Sequence, residues 1–161
     1  MHTNCYSKVA IALLASQCLI AAPEEKSRIT LQRLQGKEIP DGAVSLAYFI
    51  EEPKGKGCSW ASTPWYIASS LQGTEVNDVL IRINGRIHNL HLKGRGNTGP
   101  KILNGVSYRS FIEYADDVVS IEIYENIIDR TESYRCTKGR MVVHAHGTSK
   151  QFPIWGLFGC E

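Results

Sequence analysis

Several common signatures of function are missing from this sequence of 161 residues. It has no glycine-rich phosphate loop leading into a helix, which disfavours a nucleotide-dependent enzyme, and it has no internal repeat or low-complexity tract. Charge of one sign is also scarce, because 18 Lys and Arg stand against 16 Asp and Glu. A dedicated nucleic-acid-binding protein concentrates cations on one face, so this balance predicts no nucleic-acid partner.

An apolar run long enough for a comfortable membrane span is missing too, but a shorter one stands at the start. Lys8 precedes the apolar stretch 9–15, and a second apolar stretch ends at Ala21 and Ala22. A positive lead, a short apolar core and small residues at its end predict that residues 1–22 are a secretory signal peptide and not an integral membrane span. We therefore expect an exported protein, periplasmic or secreted.

The end of this signal peptide is poorly marked. Pro23 disfavours cleavage directly after Ala22, and another cleavage site lies before Cys18. Cleavage there would allow a lipid anchor on Cys18, as in bacterial lipoproteins. Gln17 stands where such signals require a small residue, so the anchored form is the disfavoured alternative.

The rest of the chain has the length of one ordinary domain. We expect a tether over residues 23–43 and a single β-domain over residues 44–161. Three cysteines, Cys58, Cys136 and Cys160, remain after the signal peptide, and an oxidising compartment favours one disulfide among them. We predict a disulfide between Cys58 and Cys160, which would tie the last residues to the first half of the domain, with Cys136 buried or partnered elsewhere.

The clearest structural pattern lies in residues 79–92. Two aliphatic runs there flank the dipeptide at 84–85, Asn-Gly, which predicts a β-hairpin. A strict two-residue turn would mix apolar and charged side chains on one face. We therefore favour a three-residue loop with a glycine bulge that sets Ile81 beside Ile87, because one buried face specifies strand pairing.

Other segments show the same alternation of apolar and polar residues. Further strands are predicted over residues 44–50, 65–68, 106–114, 118–124, 140–146 and 151–155. Residues 125–139 predict a long polar connection, and Pro153 predicts a strand that pairs on one side only. About seven short strands without a convincing long helix predict an all-β fold, either a small antiparallel sandwich or a partly open barrel.

The longest loop rich in turn residues spans residues 94–101, and such a loop either carries function or is simply mobile. We predict that the loop over residues 94–105 binds the partner. The candidate binding residues in and beside it are Arg95, Asn97, Lys101, Asn104, Gly105 and Tyr108. The segment 104–108, Asn-Gly-Val-Ser-Tyr, is similar to the Ser-Gly-x-x-Tyr loop of periplasmic lysozyme inhibitors, with Asn in place of Ser. The resemblance implies a loop that plugs a cell-wall hydrolase, whereas Tyr108 in a core is the ordinary structural interpretation.

A second resemblance covers about residues 58–160. The Cys-Ser-Trp sequence at 58–60, the turn of the 79–92 hairpin and the closing Gly-Leu-Phe-Gly-Cys at 156–160 resemble a set of small exported bacterial β-proteins with no named function. The resemblance implies export and β-structure, and it supplies no chemistry.

Histidines come in two close pairs, His88 with His91 and His144 with His146. Residues i and i+2 share a strand face, so the second pair could ligate Zn²⁺ if the first lay beside it. No cysteine pair or acidic residue stands at supporting spacing, so we expect no metal and no other cofactor. A catalytic Cys136 would need one of these histidines as its base, but a lone thiol in an exported protein is more often structural.

The sequence therefore predicts a non-enzymatic exported β-domain that binds another protein or a cell-envelope component. One alternative is a periplasmic inhibitor or immunity protein against a cell-wall hydrolase. The other is a metal-binding or hydrolytic domain that uses the paired histidines. The three tryptophans, Trp60, Trp65 and Trp155, belong in the core more often than in an interface.

Overall fold

A computed structural model of the chain describes residues 28–38, 46–54, 65–69, 77–96 and 99–159. Within these ranges the backbone forms β-strands and one short 3-10 turn. The strands are β1 (Leu31–Gln32), β2 (Leu46–Phe49), β3 (Ile67–Ala68), β4 (Asp78–Ile83), β5 (Arg86–Gly96), β6 (Lys101–Leu103), β7 (Val106–Tyr108), β8 (Ser110–Ala115), β9 (Val119–Arg130), β10 (Tyr134–Ala145) and β11 (Thr148–Gly159), and the 3-10 turn spans Gly36–Glu38. The prediction of an all-β protein is confirmed.

Eight of these strands close into an antiparallel barrel. Their order around it is β4, β3, β2, β11, β10, β9, β8 and β5, and β5 pairs back with β4. β1 pairs with the part of β4 that lies beyond β3, while β6 and β7 form a separate two-stranded hairpin. The expected sandwich or partly open barrel is thus replaced by a closed barrel, an arrangement that pairs every one of the eight strands on both sides.

The barrel interior is a packed apolar core. Alternate residues of each strand point inward, as in β9, where Val119, Ile121 and Ile123 are buried and the residues between them are half-buried. Tyr48 of β2 and Tyr114 of β8 are the largest side chains buried in this core. Full burial of each large aliphatic side chain stabilises the fold by about 1.5–3 kcal/mol, so the filled interior holds the barrel together.

The predicted hairpin over 79–92 is confirmed, but the preferred register is wrong. β4 and β5 are joined by a strict two-residue turn at 84–85, with both φ angles positive, and Ile81 lies opposite His88. The mixed face is tolerated because β5 pairs with β8 only from His91 onward. The first residues of β5 therefore extend beyond β8, and Arg86 stays exposed although it lies opposite the buried Ile83 of β4.

The predicted connection over residues 125–139 is wrong, because a long hairpin occupies most of it. β9 continues to Arg130 and β10 begins at Tyr134, and the two strands pair along their length with one irregularity. Residues 127–130 are exposed, and the two isoleucines among them, Ile127 and Ile128, are adjacent and so show no alternation of apolar and polar residues. Their strand pairing comes from the neighbouring strand and not from a local apolar pattern.

Two other predicted strands have different outcomes. The stretch predicted as one strand over 106–114 is divided at Arg109 into β7, which pairs with β6, and β8, which pairs with β9. The third hairpin is present as β10 and β11, and both strands are longer than predicted. Pro153 lies where β11 pairs with β10 alone, since β2 joins only from Trp155, as predicted from its missing backbone N–H.

Residues 28–38, which fall within the predicted tether, pack against the barrel. Ile29, Leu31 and Leu34 are buried there, and β1 extends the sheet. The predicted signal peptide over 1–22 lies outside the described residues. Among the residues that are described, none belongs to a helix long and apolar enough to span a bilayer.

A second apolar cluster lies on the outer face of the barrel. It contains Phe49, Cys136 and Trp155, with Trp65 packed against it. Cys136 is disulfide-bonded, and its partner lies outside the described residues, as do Cys58, Cys160 and Trp60. The predicted Cys58–Cys160 disulfide therefore stays a prediction. If residues 1–22 are removed, a partner of Cys136 within the chain can only be Cys58 or Cys160, and either bond would exclude the predicted one.

Candidate functional site

β6 and β7 form a small hairpin over residues 101–108, the 101–108 hairpin, that lies against the outside of the barrel. Asn104 and Gly105 form its turn with φ angles of 50° and 78°. A two-residue hairpin turn requires this left-handed backbone, which Asn and Gly adopt readily. The predicted loop over 94–105 therefore contains the end of β5 and the whole of β6.

Contacts at its base fasten the hairpin to the barrel. Tyr108 is 6% exposed, and its ring packs edge-on against Tyr124 of β9 with the ring centroids 5.9 Å apart. The side-chain oxygen of Asn126 accepts a hydrogen bond from the backbone N–H of Arg109 at 2.9 Å. The amide of Asn126 donates to the carbonyl of Ser107 at 3.1 Å. β9 thus contacts the side chain of Tyr108, the last residue of the hairpin, and hydrogen-bonds to the backbone on both sides of it.

A contact at the turn fastens the other end. The side-chain amide of Asn104 donates a hydrogen bond to Oε1 of Gln151, in β11, at 3.0 Å. Because β11 is two strands away from β9 around the barrel, the hairpin crosses the outer surface of the sheet. It is attached both at its base and at its turn.

The hairpin carries apolar side chains that face solvent. Ile102 is 74% exposed and Val106 is 50% exposed. Nζ of Lys101 lies 5.5 Å from the centroid of the Phe111 ring, which covers part of that ring with a cation. The result is a small apolar patch with a positive charge at its edge, on an ordered element.

The chain around this patch is cationic. Between Asp78 and Glu113 it contains six Lys or Arg residues and no Asp or Glu. Lys101 and Arg109 flank the hairpin and are exposed. A surface of this kind complements a partner that presents carboxylates, and it repels a cationic one.

The structure distributes the predicted binding residues over two elements. The residues that lie in the hairpin are Lys101, Asn104, Gly105 and Tyr108. Tyr108 is buried, which is the structural role weighed for it in the sequence. Arg95 lies in β5, where its side chain hydrogen-bonds to Tyr114, and Asn97 lies outside the described residues. The sequence analysis did not single out Ile102, the most exposed side chain of the patch.

The first pair of histidines is bonded to two separate carboxylates. Nδ1 of His88 lies 2.8 Å from Oδ2 of Asp116, and Nδ1 of His91 lies 2.8 Å from Oδ1 of Asp78. Burial opposes ionisation of Asp116, but hydrogen bonds from two backbone N–H groups and from His88 lower its pKa. His88 and His91 are three residues apart on β5, so they lie on opposite faces of the strand.

The second pair of histidines lies on another part of the barrel. β8 and β9 separate β5 from β10. His144 has its Nε2 3.7 Å from Oε1 of Glu122, and His146 is exposed in the turn between β10 and β11. The described part of the chain brings no three His, Cys, Asp or Glu side chains together in a way that could hold a metal ion.

One buried carboxyl group, Glu125, is not among the residues predicted from the sequence. It lies on the inward face of β9, two residues after Ile123, and is 2% exposed. Its Oε2 accepts hydrogen bonds from the hydroxyls of Thr137 at 2.7 Å and Tyr48 at 3.1 Å. Burial raises the pKa of Glu125, and these hydrogen bonds offset only part of that effect. The alternation along β9 was the available signal, because it places position 125 on the core face.

Comparison with known protein families, curated proteins and solved structures gives no match. The similarity of segment 104–108 to the loop of periplasmic lysozyme inhibitors therefore rests on its own residues. In this structure Asn104 lies in the turn of the hairpin and Tyr108 at its base.

Proposed function

We propose that this protein is an exported, non-catalytic binding domain that contacts a partner protein through the 101–108 hairpin. The observation that carries the proposal is Ile102, which is 74% exposed although the hairpin that bears it is attached at both ends. A partner that buries this side chain gains about 1.5–3 kcal/mol. Because the hairpin is ordered before binding, little conformational entropy is lost on association.

The partner that best fits this surface is a cell-wall glycosidase, which makes the protein a periplasmic inhibitor. Glycosidases carry a pair of carboxylates in their catalytic cleft. Lys101 and Arg109 would approach such a cleft favourably, and the surrounding stretch has no acidic residue to repel it. The similarity of segment 104–108 to the inhibitor loop supports the same partner, with the Asn104 amide in place of the serine hydroxyl.

The other candidate functions have less support. An anionic envelope polymer would also attract the cations, but it would have no use for the apolar side chain of Ile102. The four histidines lie on separate parts of the barrel, so we base no hydrolytic or metal-dependent function on them.

An inhibition assay tests the proposal. A lysozyme-class glycosidase is titrated with the wild-type protein, with Ile102→Asp and with Ile87→Asp, whose position in β5 is 43% exposed but lies outside the hairpin. We expect inhibition at micromolar concentration or below, weakened about tenfold or more by Ile102→Asp and unchanged by Ile87→Asp. Rising salt should weaken inhibition, since the charges at the rim are exposed.

Two results would contradict the proposal. One is the absence of inhibition across lysozyme-class enzymes at micromolar concentrations of the folded protein. The other is equal weakening by the two aspartate substitutions, which would mean that the hairpin is not the contact surface.

A further inference from the structure

A cavity of about 710 Å³ lies at the end of the barrel that Glu125 occupies. Its volume falls in the range of small-molecule sites, which is roughly 300–1,000 Å³. Glu125, Thr137, Arg135 and Arg109 are among the residues that line it. Ile102 does not line this cavity, but Ser107 and Arg109 do, so the cavity adjoins the proposed partner surface and shares Arg109 with it.

The guanidinium of Arg135 is the group in this cavity that indicates what kind of ligand would bind. Its Nε is buried and has no hydrogen-bond partner among the described residues. Cζ of the guanidinium lies 4.2 Å from the centroid of the Phe158 ring, which fixes the orientation of the planar group. A buried guanidinium donor without an acceptor is unfavourable, and an incoming oxygen would satisfy it.

The charges in the cavity favour an anion. Within the described ranges, neither Arg135 nor Arg109 has a carboxylate within salt-bridge distance. Glu125 is the acidic side chain of the cavity, and its carboxyl already accepts hydrogen bonds from Thr137 and Tyr48. Burial raises the pKa of Glu125 and so favours its neutral form. Two arginines thus face a carboxyl group that does not fully offset their charge.

We propose that this cavity binds a small molecule through an oxyanion group, a carboxylate or a phosphate, held by Arg135 and Arg109. A guanidinium donates two parallel N–H bonds to such a group, and its planar geometry suits both anions. The exposed side chain of Ile127 stands at the cavity wall, where it can contact an apolar part of the molecule. This site goes beyond the proposed function and does not depend on it.

The test is a titration of the full protein followed by NMR of the arginine Nε–Hε groups. The probes are inorganic phosphate and acetate, with chloride at matched ionic strength as the control. We expect the Arg135 signal to shift in a saturable way with phosphate or acetate and not with chloride. Stronger binding of phosphate would assign a phosphorylated ligand, and stronger binding of acetate a carboxylate.

Three variants make the result specific. Arg135→Gln should abolish saturable binding, and Arg109→Gln should weaken it about tenfold or more, since a charge-assisted hydrogen bond is lost. Arg130→Gln, an exposed position that does not line the cavity, should leave it unchanged, as should Ile102→Asp. If Arg135→Gln does not fold, the wild-type signal and Arg109→Gln decide the question.

Two outcomes would overturn this inference. One is a shift that grows without saturation and equals the shift in chloride, which would mean an ionic-strength effect only. The other is equal loss of binding in Arg130→Gln and Arg109→Gln, which would mean that the anion binds elsewhere. Neither outcome would bear on inhibition through the hairpin.

Discussion

Replacing Glu125 with glutamine should remove a pH-dependent loss of stability from the barrel. In the folded protein, burial raises the pKa of this carboxyl above its ordinary value of 4.5. As the pH rises through that ordinary value, the unfolded chain releases the proton before the folded protein does. The free energy of unfolding therefore falls until the pH passes the folded-state pKa, by about 1.4 kcal/mol for each unit of elevation.

Two substitutions at Glu125 separate the effect of its charge from the effect of its hydrogen bonds. Glutamine keeps an acceptor oxygen for the hydroxyls of Thr137 and Tyr48, but it cannot ionise. Relative to the wild type, Glu125→Gln should therefore gain stability as the pH rises. Glu125→Leu removes the acceptor and leaves two buried hydroxyls unsatisfied, which should lower the free energy of unfolding by about 1–3 kcal/mol for each at low pH.

Urea unfolding followed by tryptophan fluorescence, repeated from about pH 4 to about pH 8, measures these differences. Glu51 is exposed, and its hydrogen bond with Arg33 lowers its pKa. This group titrates alike in all variants, so it cancels from the comparison. Glu132→Gln, at an exposed position, is the control. A difference between Glu125→Gln and wild type that stays flat or falls with rising pH would refute the reasoning.

Three further predictions concern packing and cysteine chemistry. Gly139→Ala should destabilise the barrel by about 3 kcal/mol or more, because its Cβ would lie 1.9 Å from a backbone oxygen of β9. The control Gly94→Ala, whose Cβ would have nothing within 4 Å, should change stability by about 1 kcal/mol or less. Equal effects of the two substitutions in urea unfolding would contradict this prediction. Tyr108→Ala should lower the free energy of unfolding by about 3 kcal/mol and weaken inhibition. The free energy of unfolding of Tyr108→Phe should differ from that of the wild type by no more than about 0.5 kcal/mol. Intact inhibition in Tyr108→Ala would show that the packing of Tyr108 against the barrel is dispensable. Peptide mapping without reduction should recover Cys136 in a disulfide, and a free Cys136 thiol in the folded protein would count against the structure.

Local pattern predicted strands well where a short turn joins two half-buried runs. The Asn-Gly dipeptide at 84–85 is an example, because both residues tolerate the positive φ that the turn needs. The predicted register is wrong, because it requires apolar side chains from both strands on one face. In the structure only β4 is buried near the turn, and Arg86 lies opposite Ile83 where β5 extends beyond β8.

Barrel closure could not be predicted from the sequence. It depends on β3, which has two residues and pairs with β2 on one side and β4 on the other. Two residues are too few to show a period, and both pairings are set by the curvature of the rest of the sheet. Residues 127–130 likewise give no strand signal, because this part of β9 is exposed and its two isoleucines are adjacent instead of alternating.

The candidate site was predictable only in part. The segment 94–105 was recognised from its turn residues, and Lys101 was named within it. Ile102 was not named, because its exposure depends on which face of the hairpin Asn126 and Tyr124 hold against the barrel. Those contacts join residues far apart in the sequence, and no local pattern encodes them.

Photo-crosslinking from position 102 tests the central claim most directly. A photoreactive amino acid replaces Ile102 in the full protein, or Ile87 as the control, and the protein is irradiated in its native envelope. The account predicts one covalent partner from position 102, identified by mass spectrometry as a cell-wall glycosidase, and none from position 87. Equal crosslinking from both positions, or no crosslink from position 102, would contradict it.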